Sequence, residues 1–160
     1  MTAPLGPLSL RPFALRDAST VERWLCGYGL SLPGGLLRHE WPQRLLADPR
    51  IVAQIASVSG RDVGFLRLDT GPDLVAEVTL VVDPDCRRRG LGTAMFAGVL
   101  RLARSIRIHR LVVSIDLRNE QALDFFADQG FLDEGLVAGR LRMGRLVHAG
   151  DHQPPLEIEA

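Results

Sequence analysis

Along the chain, apolar positions fall into short runs with a period of two and longer stretches with a period near 3.6, punctuated by Gly, Pro and Asp. Leu8 to Leu15 reads as a first strand. Asp17, Ala18, Ser19 and Thr20 then offer caps for a helix that carries Val21, Trp24 and Leu25 on one face, and Gly27 and Gly29 break it. Leu36 to Ala47 predicts a second helix, interrupted or bent at Pro42 and ended by Asp48-Pro49. Arg50 to Val58 and Val63 to Leu68, joined by Ser59-Gly60-Arg61-Asp62, predict a hairpin. After the turn Thr70-Gly71-Pro72-Asp73, the run from Leu74 to Val82 is rich in valine and leucine, as a buried strand would be, and Asp83-Pro84 stops it.

From Thr93 to Ile106 the residues Met95, Phe96, Val99, Leu100, Leu102 and Ala103 recur mostly at helical spacing, with Arg101 and Arg104 outward. Leu111 to Ile115 follows as a buried strand. Strand, helix and strand predict a right-handed crossover that leaves the Leu74 and Leu111 strands parallel. Asn119 to Gln129 predicts another helix with Ala122, Phe125 and Phe126 inward and Gly130 as its left-handed C-cap. Leu141 to Val147 predicts a closing strand. The stretch 150–160 has no periodicity and contains two consecutive prolines, so the expected organisation is one domain over 1–149 with a mobile tail.

Composition narrows the class. The chain has 160 residues, 46% of them hydrophobic and 24% charged, which suits a single globular domain with its own core. Nineteen basic residues balance nineteen acidic ones, so the charge gives no reason to expect nucleic acid or an anionic membrane as partner. Every basic residue is arginine, a bias that GC-rich coding explains. No apolar run is long enough to cross a bilayer, and Met1 to Ser9 lacks the basic start and apolar stretch of a signal peptide, so a cytoplasmic setting is expected. Cys26 and Cys86, like His39, His109, His148 and His152, show no metal-ligand spacing; the cysteines are expected as free thiols and no metal is expected.

Candidate chemistry concentrates after the Leu74 strand. Arg87, Arg88 and Arg89 precede Gly90-Leu91-Gly92, which opens a helix. Glycines let backbone N–H groups approach an anion, the first helical turn leaves donors unpaired at a positive dipole end, and the arginines add charge suited to a pyrophosphate. A dinucleotide-binding fingerprint, with Asp116 as ribose ligand, fits poorly: about eight residues separate Val82 from Gly90, and Met95 stands where that motif needs a small residue.

The spacing Arg87-x-x-Gly90-x-Gly92 after Val-Asp-Pro resembles the acyl-CoA signature of the GNAT superfamily of N-acyltransferases. Asn119-x-x-Ala122-x-x-Phe125-Phe126-x-x-x-Gly130-Phe131 is similar to that superfamily's second element, and Leu10-Arg11-Pro12 with Asp17 to its opening strand and helix. The resemblance implies an α/β (α+β) fold with a mixed, mostly antiparallel sheet of six to seven strands, a central splayed parallel pair and about four flanking helices. It also implies acetyl-CoA as co-substrate, held by the backbone of Leu80, Val81 and Val82 along its pantetheine arm. Arg87, Arg88, Arg89, Gly90, Leu91, Gly92 and Thr93 would take the pyrophosphate. Asn119 would contact the pantetheine arm or reacting end, or simply cap its helix.

By the same resemblance Glu77 is the candidate catalytic base, and the N–H of Val81 or Val82 the oxyanion donor. A carboxylate in an apolar strand is costly unless used or paired. In a regular strand Glu77 shares a face with Val81 and not with Leu80 or Val82, and a structural role as an edge or salt-bridging glutamate stays open. Phe126 stands where many members carry a tyrosine that protonates the leaving thiolate, and phenylalanine has no proton to give. Tyr28 and Ser114 are alternatives without motif support. The acceptor, a small-molecule or peptide amine, would enter beside Gly27 to Trp41, with Tyr28, His39, Glu40 and Trp41 as lining; Trp24 and Trp41 are equally well read as core. The rival reading is a non-catalytic acyl-CoA-binding or sensor module. An exposed edge at Leu141 to Val147 would give a homodimer its contact.

Overall fold

In the computed structural model, which describes residues 6–26, 40–86 and 90–148, the described residues form one seven-stranded sheet and four α-helices. The strands are β1 (Leu8–Pro12), β2 (Ile51–Val58), β3 (Arg61–Thr70), β4 (Val75–Val82), β5 (Arg110–Ile115), β6 (Leu132–Val137) and β7 (Arg140–Leu146). The helices are α1 (Ala18–Cys26), α2 (Trp41–Ala47), α3 (Leu91–Ser105) and α4 (Glu120–Asp128). The strand order is β1-β2-β3-β4-β5-β7-β6, and only β4 and β5 run parallel. The expected mixed sheet with one parallel pair is met.

That pair is splayed. β4 and β5 are in register only from Val75 with Arg110 to Glu77 with Val112, while both strands continue beyond that rung. β4 stays paired with β3 along its length, from Ala76 with Thr70 to Val82 with Gly64. The gap therefore opens on one side of β4 only.

Each face of the sheet has its own core. On the α3–α4 face, Phe96 sits at the centre of an aromatic group, with ring centroids 6.4 Å from Phe125, 6.5 Å from Phe126 and 5.7 Å from Phe131. All three pairs are edge-to-face, the geometry that the ring quadrupole favours. On the α1–α2 face, Phe13, Trp41 and Phe65 pack together with Val21, Trp24 and Val81. Both tryptophans are thus core residues, and Trp41 Nε1 donates to Glu22 Oε1 at 2.8 Å, tying α2 to α1. Arg11 and Asp17 are structural too: Arg11 grips the buried Asp17 carboxylate with two 2.8 Å bonds and reaches Asp62 at 3.1 Å. Hydrogen bonding from Arg11 holds the Asp17 pKa below the usual carboxylate range.

Several boundaries differ from the sequence reading. β1 stops at Pro12, and Leu15–Asp17 turns as a short 3-10 helix. Pro42 lies in the first turn of α2, where a missing N–H costs nothing, so it starts that helix rather than bending it. Residues 36–39 lie outside the described residues, as do Gly27, Gly29 and the 150–160 tail. Leu141 to Val147 is not an edge, because β6 covers β7 on its outer side. The six residues of β6 are all exposed, which erases the burial periodicity by which a strand is recognised. No helix among the described residues is long and apolar enough to cross a membrane.

Candidate active site

The cleft on the α3–α4 face is built where three chain segments converge. Leu80 and Val82 of β4, Gly90 to Thr93 at the start of α3, and Asn119, Ala122, Phe125 and Phe126 of α4 line a cavity of about 300 Å³. Gly90 caps α3 with φ +74°, a left-handed conformation that a side chain would strain. Gly92 is needed for space instead: a Cβ there would lie 3.1 Å from the Phe125 ring. The first turn of α3, at Leu91, Gly92 and Thr93, has no intrahelical partners for its N–H groups, and Ala94 N–H is the first to bond back, to Gly90 O at 3.1 Å. These donors and the positive end of a fifteen-residue helix suit a phosphate group. Arg87, Arg88 and Arg89 lie outside the described residues.

Backbone direction along β4 sorts the residues expected to hold the pantetheine arm. Gly71 N–H donates to Val75 O at 2.8 Å, and Asp83 N–H to Val63 O at 2.8 Å. By antiparallel alternation the odd-numbered positions 75 to 83 turn their N–H and C=O toward β3. The even-numbered ones face β5, as the 2.9 Å bond from His109 N–H to Leu74 O confirms. Val81 thus gives its backbone to Phe65 on β3 and its side chain to the α1–α2 core. Leu80 and Val82 turn their backbone toward the gap and their side chains into the cleft. The roles expected for Leu80, Val81 and Val82 fit only the even positions.

Asn119 does cap its helix: its Oδ1 accepts from Ala122 N–H at 3.1 Å, and the residue also lines the cleft. Phe126 lines the same cavity while packing 5.1 Å from both Phe125 and Phe131. Asp116, the rejected ribose ligand, is closed on Arg118 at 2.8 Å and 3.1 Å.

Glu77 faces the other way. It occupies the last paired rung of β4 and β5, on the α1–α2 face, and lines a second cleft of about 560 Å³ with Asp69, Asp73, Val112 and Arg142. Its carboxylate makes no hydrogen bond or ion pair with another described residue. Its side chain is exposed to solvent, yet partial desolvation by its surroundings, and then the Asp69 carboxylate across the β3–β4 ladder, push its pKa up from the ordinary glutamate value. Arg142, Arg67 and Arg140 pull in the opposite direction and do not cancel the rise. A carboxylate with a raised pKa and no partner among the described residues is chemically able to accept a proton.

Of the other acid and acceptor candidates, Ser114 Oγ accepts from Arg140 Nε at 3.2 Å on this same face, and Glu40 is an exposed left-handed residue ahead of α2. Tyr28 and His39 lie outside the described residues. Asp69 and Arg142 were missed in the sequence, as were Gln121 and Cys86, which also line the first cleft. The signal for the first two was present: charges at alternate positions, Arg67 and Asp69 in β3 and Arg140 and Arg142 in β7, mark a polar stripe on an otherwise apolar sheet.

A glycine-opened helix thus faces the gap between two diverging parallel strands. The sequence matches the acetyltransferase (GNAT) family over residues 20–131, and the chain belongs to that family. It is 36% identical over 98 residues to an uncharacterized N-acetyltransferase of Methanocaldococcus jannaschii, covering 56% of this chain and 42% of that protein. A putative phosphinothricin acetyltransferase of Bacillus subtilis is 34% identical over 68 residues, 42% of each chain. The chain thus spans about two fifths, 42%, of the length of each of these curated relatives. A spermidine N-acetyltransferase from Vibrio cholerae, solved with CoA and spermine, superposes with a TM-score of 0.71 at 16% identity, over 88% of this chain and 95% of that one. At that identity the likeness is one of fold.

Proposed function

We propose that this protein is an N-acetyltransferase that moves an acetyl group from acetyl-CoA to a primary amine by direct attack within a ternary complex. The observation that carries the reading is the position of Glu77, a carboxylate with no partner among the described residues at the rung where β4 and β5 part, with a phosphate-sized cradle on the opposite face. Gly90 to Thr93 fit a pyrophosphate, and Leu80 and Val82 offer backbone to a pantetheine arm. Acetyl-CoA, when bound, supplies an activated thioester carbonyl.

Glu77 takes the proton that the amine must lose as its nitrogen forms the new C–N bond and the C–S bond breaks. The backbone N–H groups of β4 that face the gap are the candidates to receive the developing oxyanion. The departing thiolate, whose parent thiol has a pKa near roughly 8.5, can take its proton from water, so Phe126 does not block the reaction. The products are the N-acetyl amine and free CoA.

Glu77→Gln tests this. With CoA release followed in the presence of an amine panel, turnover falls on the order of 100-fold or more, as removal of a general base does, while acetyl-CoA affinity stays within about twofold. Unchanged turnover across pH takes Glu77 out of the mechanism. Phe126 favours one rival, a module that binds acyl-CoA without transfer; acetyl-CoA binding with no CoA release from any amine would establish that reading instead.

A further inference from the structure

The second cleft carries more charge than a base alone requires, and its pairing is uneven. Asp48 is bound to Arg50 at 3.0 Å, and Asp69 to Arg67 at 2.6 Å and 2.7 Å. Of the other arginines on this face, Arg140 is turned onto Ser114, donating to its Oγ and its carbonyl at 3.2 Å and 3.1 Å, and Arg110 is held by Glu134. Arg142 differs. Its one bond to a described residue runs from Nε to Glu134 Oε1 at 3.4 Å, which leaves both Nη groups of the guanidinium for another partner.

Strand geometry places this fork beside Glu77. Val112 is the rung partner of Glu77 on β5, and Arg142 is the partner of Ser114, two residues further along β5 and on the same face. The offset along the strand is roughly 7 Å and, with β5 between them, the offset across the sheet roughly 10 Å, a separation that the two side chains, both lining the same cavity, shorten. Glu77 and Arg142 line one cavity yet form no ion pair with each other. Among the described residues the cleft therefore presents an unpaired carboxylate and a partly engaged guanidinium at once, with Asp73 also in its lining.

We infer that the acceptor is an amine that also carries an acid group a few bonds away, as an amino acid does, with the nitrogen at Glu77 and the acid in the Arg142 fork. This rests on the acetyltransferase reading and specifies its substrate class. A planar carboxylate accepts two parallel N–H bonds from a guanidinium, which fixes orientation as well as affinity. A polyamine could set its second ammonium against Asp73 or Asp69 instead, since the lining holds four carboxylates against two guanidiniums, so spermidine is the competing acceptor to measure. Fixing the acid at Arg142 also sets which nitrogen faces Glu77, and that orientation is what a near-attack geometry needs.

The test compares matched acceptors by CoA release: L-phenylalanine against 2-phenylethylamine, L-methionine against 3-(methylthio)propylamine, 4-aminobutyrate against n-butylamine, and spermidine. At least one acid should exceed its acid-free counterpart by roughly tenfold or more in kcat/KM, the size expected of a charge-assisted pair. Arg142→Ala should collapse that preference toward one, mainly by raising KM for the acid, and Arg142→Lys should restore part of it. A higher kcat/KM for the acid-free amines or for spermidine overturns the inference and leaves the acetyltransferase reading intact. So does an acid preference that survives Arg142→Ala. An absence of CoA release from every acceptor, with acetyl-CoA bound, overturns both.

Discussion

The two faces of the splayed strand β4 differ in chemistry, and under the proposed reaction they would divide the labour of the site. On the α3–α4 face the described lining holds no carboxylate, guanidinium or imidazole; it consists of glycine, aliphatic and aromatic side chains, a helix N-terminus, Cys86 and a few neutral polar groups. On the α1–α2 face Glu77 and Arg142 stand among Asp48, Arg50, Asp69 and Asp73. One face can hold a large ligand by shape and backbone donors, and the other can move a proton. Because side chains alternate along a strand, eight residues of β4 serve both, with Leu80 and Val82 turned one way and Glu77 the other.

The largest effect that would break this division comes from filling the first face. Gly92→Trp should abolish acetyl-CoA binding, a loss beyond about 100-fold by calorimetry, because even a Cβ at Gly92 would lie 3.1 Å from the Phe125 ring. The helix should survive, since Gly92 is not one of the positive-φ glycines, and an unchanged far-UV circular dichroism spectrum checks that. Retained binding in a folded variant would place the cofactor elsewhere.

The same division explains what could be read from the letters. The cradle is local: Gly90 to Thr93 are contiguous, and the Asn119 to Phe131 segment is one helix and its cap, so short-range spacing reveals both. The second cleft is assembled from β3, β4, β5 and β7 among other segments, and its members Asp69, Glu77 and Arg142 come together only through strand register. Glu77 could be found because it interrupts an apolar run. Arg142 was harder to single out: its alternation with Arg140 marks a polar stripe, but such a stripe looks like a solvated face until the partners of Arg140 and Arg110 are known. Parity, by contrast, was legible. The period of two separated Glu77 from Leu80 and Val82, and the ladder then showed that Val81 belongs to β3 and the second core.

A smaller effect sharpens the division from the cofactor side. Phe126→Tyr adds a phenol next to the first cleft, at the position where a proton donor was expected. If proton transfer belongs to the other face, kcat should change far less than the roughly 100-fold that a working general acid contributes. The pH profile should keep its acid limb, set by Glu77. A large rise in kcat, with a new basic limb from the phenol, would show that protonation of the thiolate limits the native enzyme and that the first face shares in proton handling.

The smallest expected effect lies in stability, and its sign follows from the raised Glu77 pKa. A carboxyl group whose folded pKa exceeds its unfolded value binds a proton more tightly when folded. It therefore stabilises the fold below the unfolded value and loses that contribution as pH rises through the folded value. Glu77 stands beside Asp69 without a hydrogen-bond partner among the described residues, and Glu77→Gln removes that carboxylate. The variant should melt at a higher temperature than wild type at pH 7, and the difference should shrink as pH falls below the unfolded glutamate value, roughly 4.3. Thermal melts of both proteins at pH 4, 5.5 and 7 check this. A gain in stability coupled to a loss of turnover is what a carboxylate kept for proton transfer produces. A Glu77→Gln variant that melts lower at pH 7 would show instead that the carboxylate holds the β3–β4 ladder together, and would return Glu77 to a structural role.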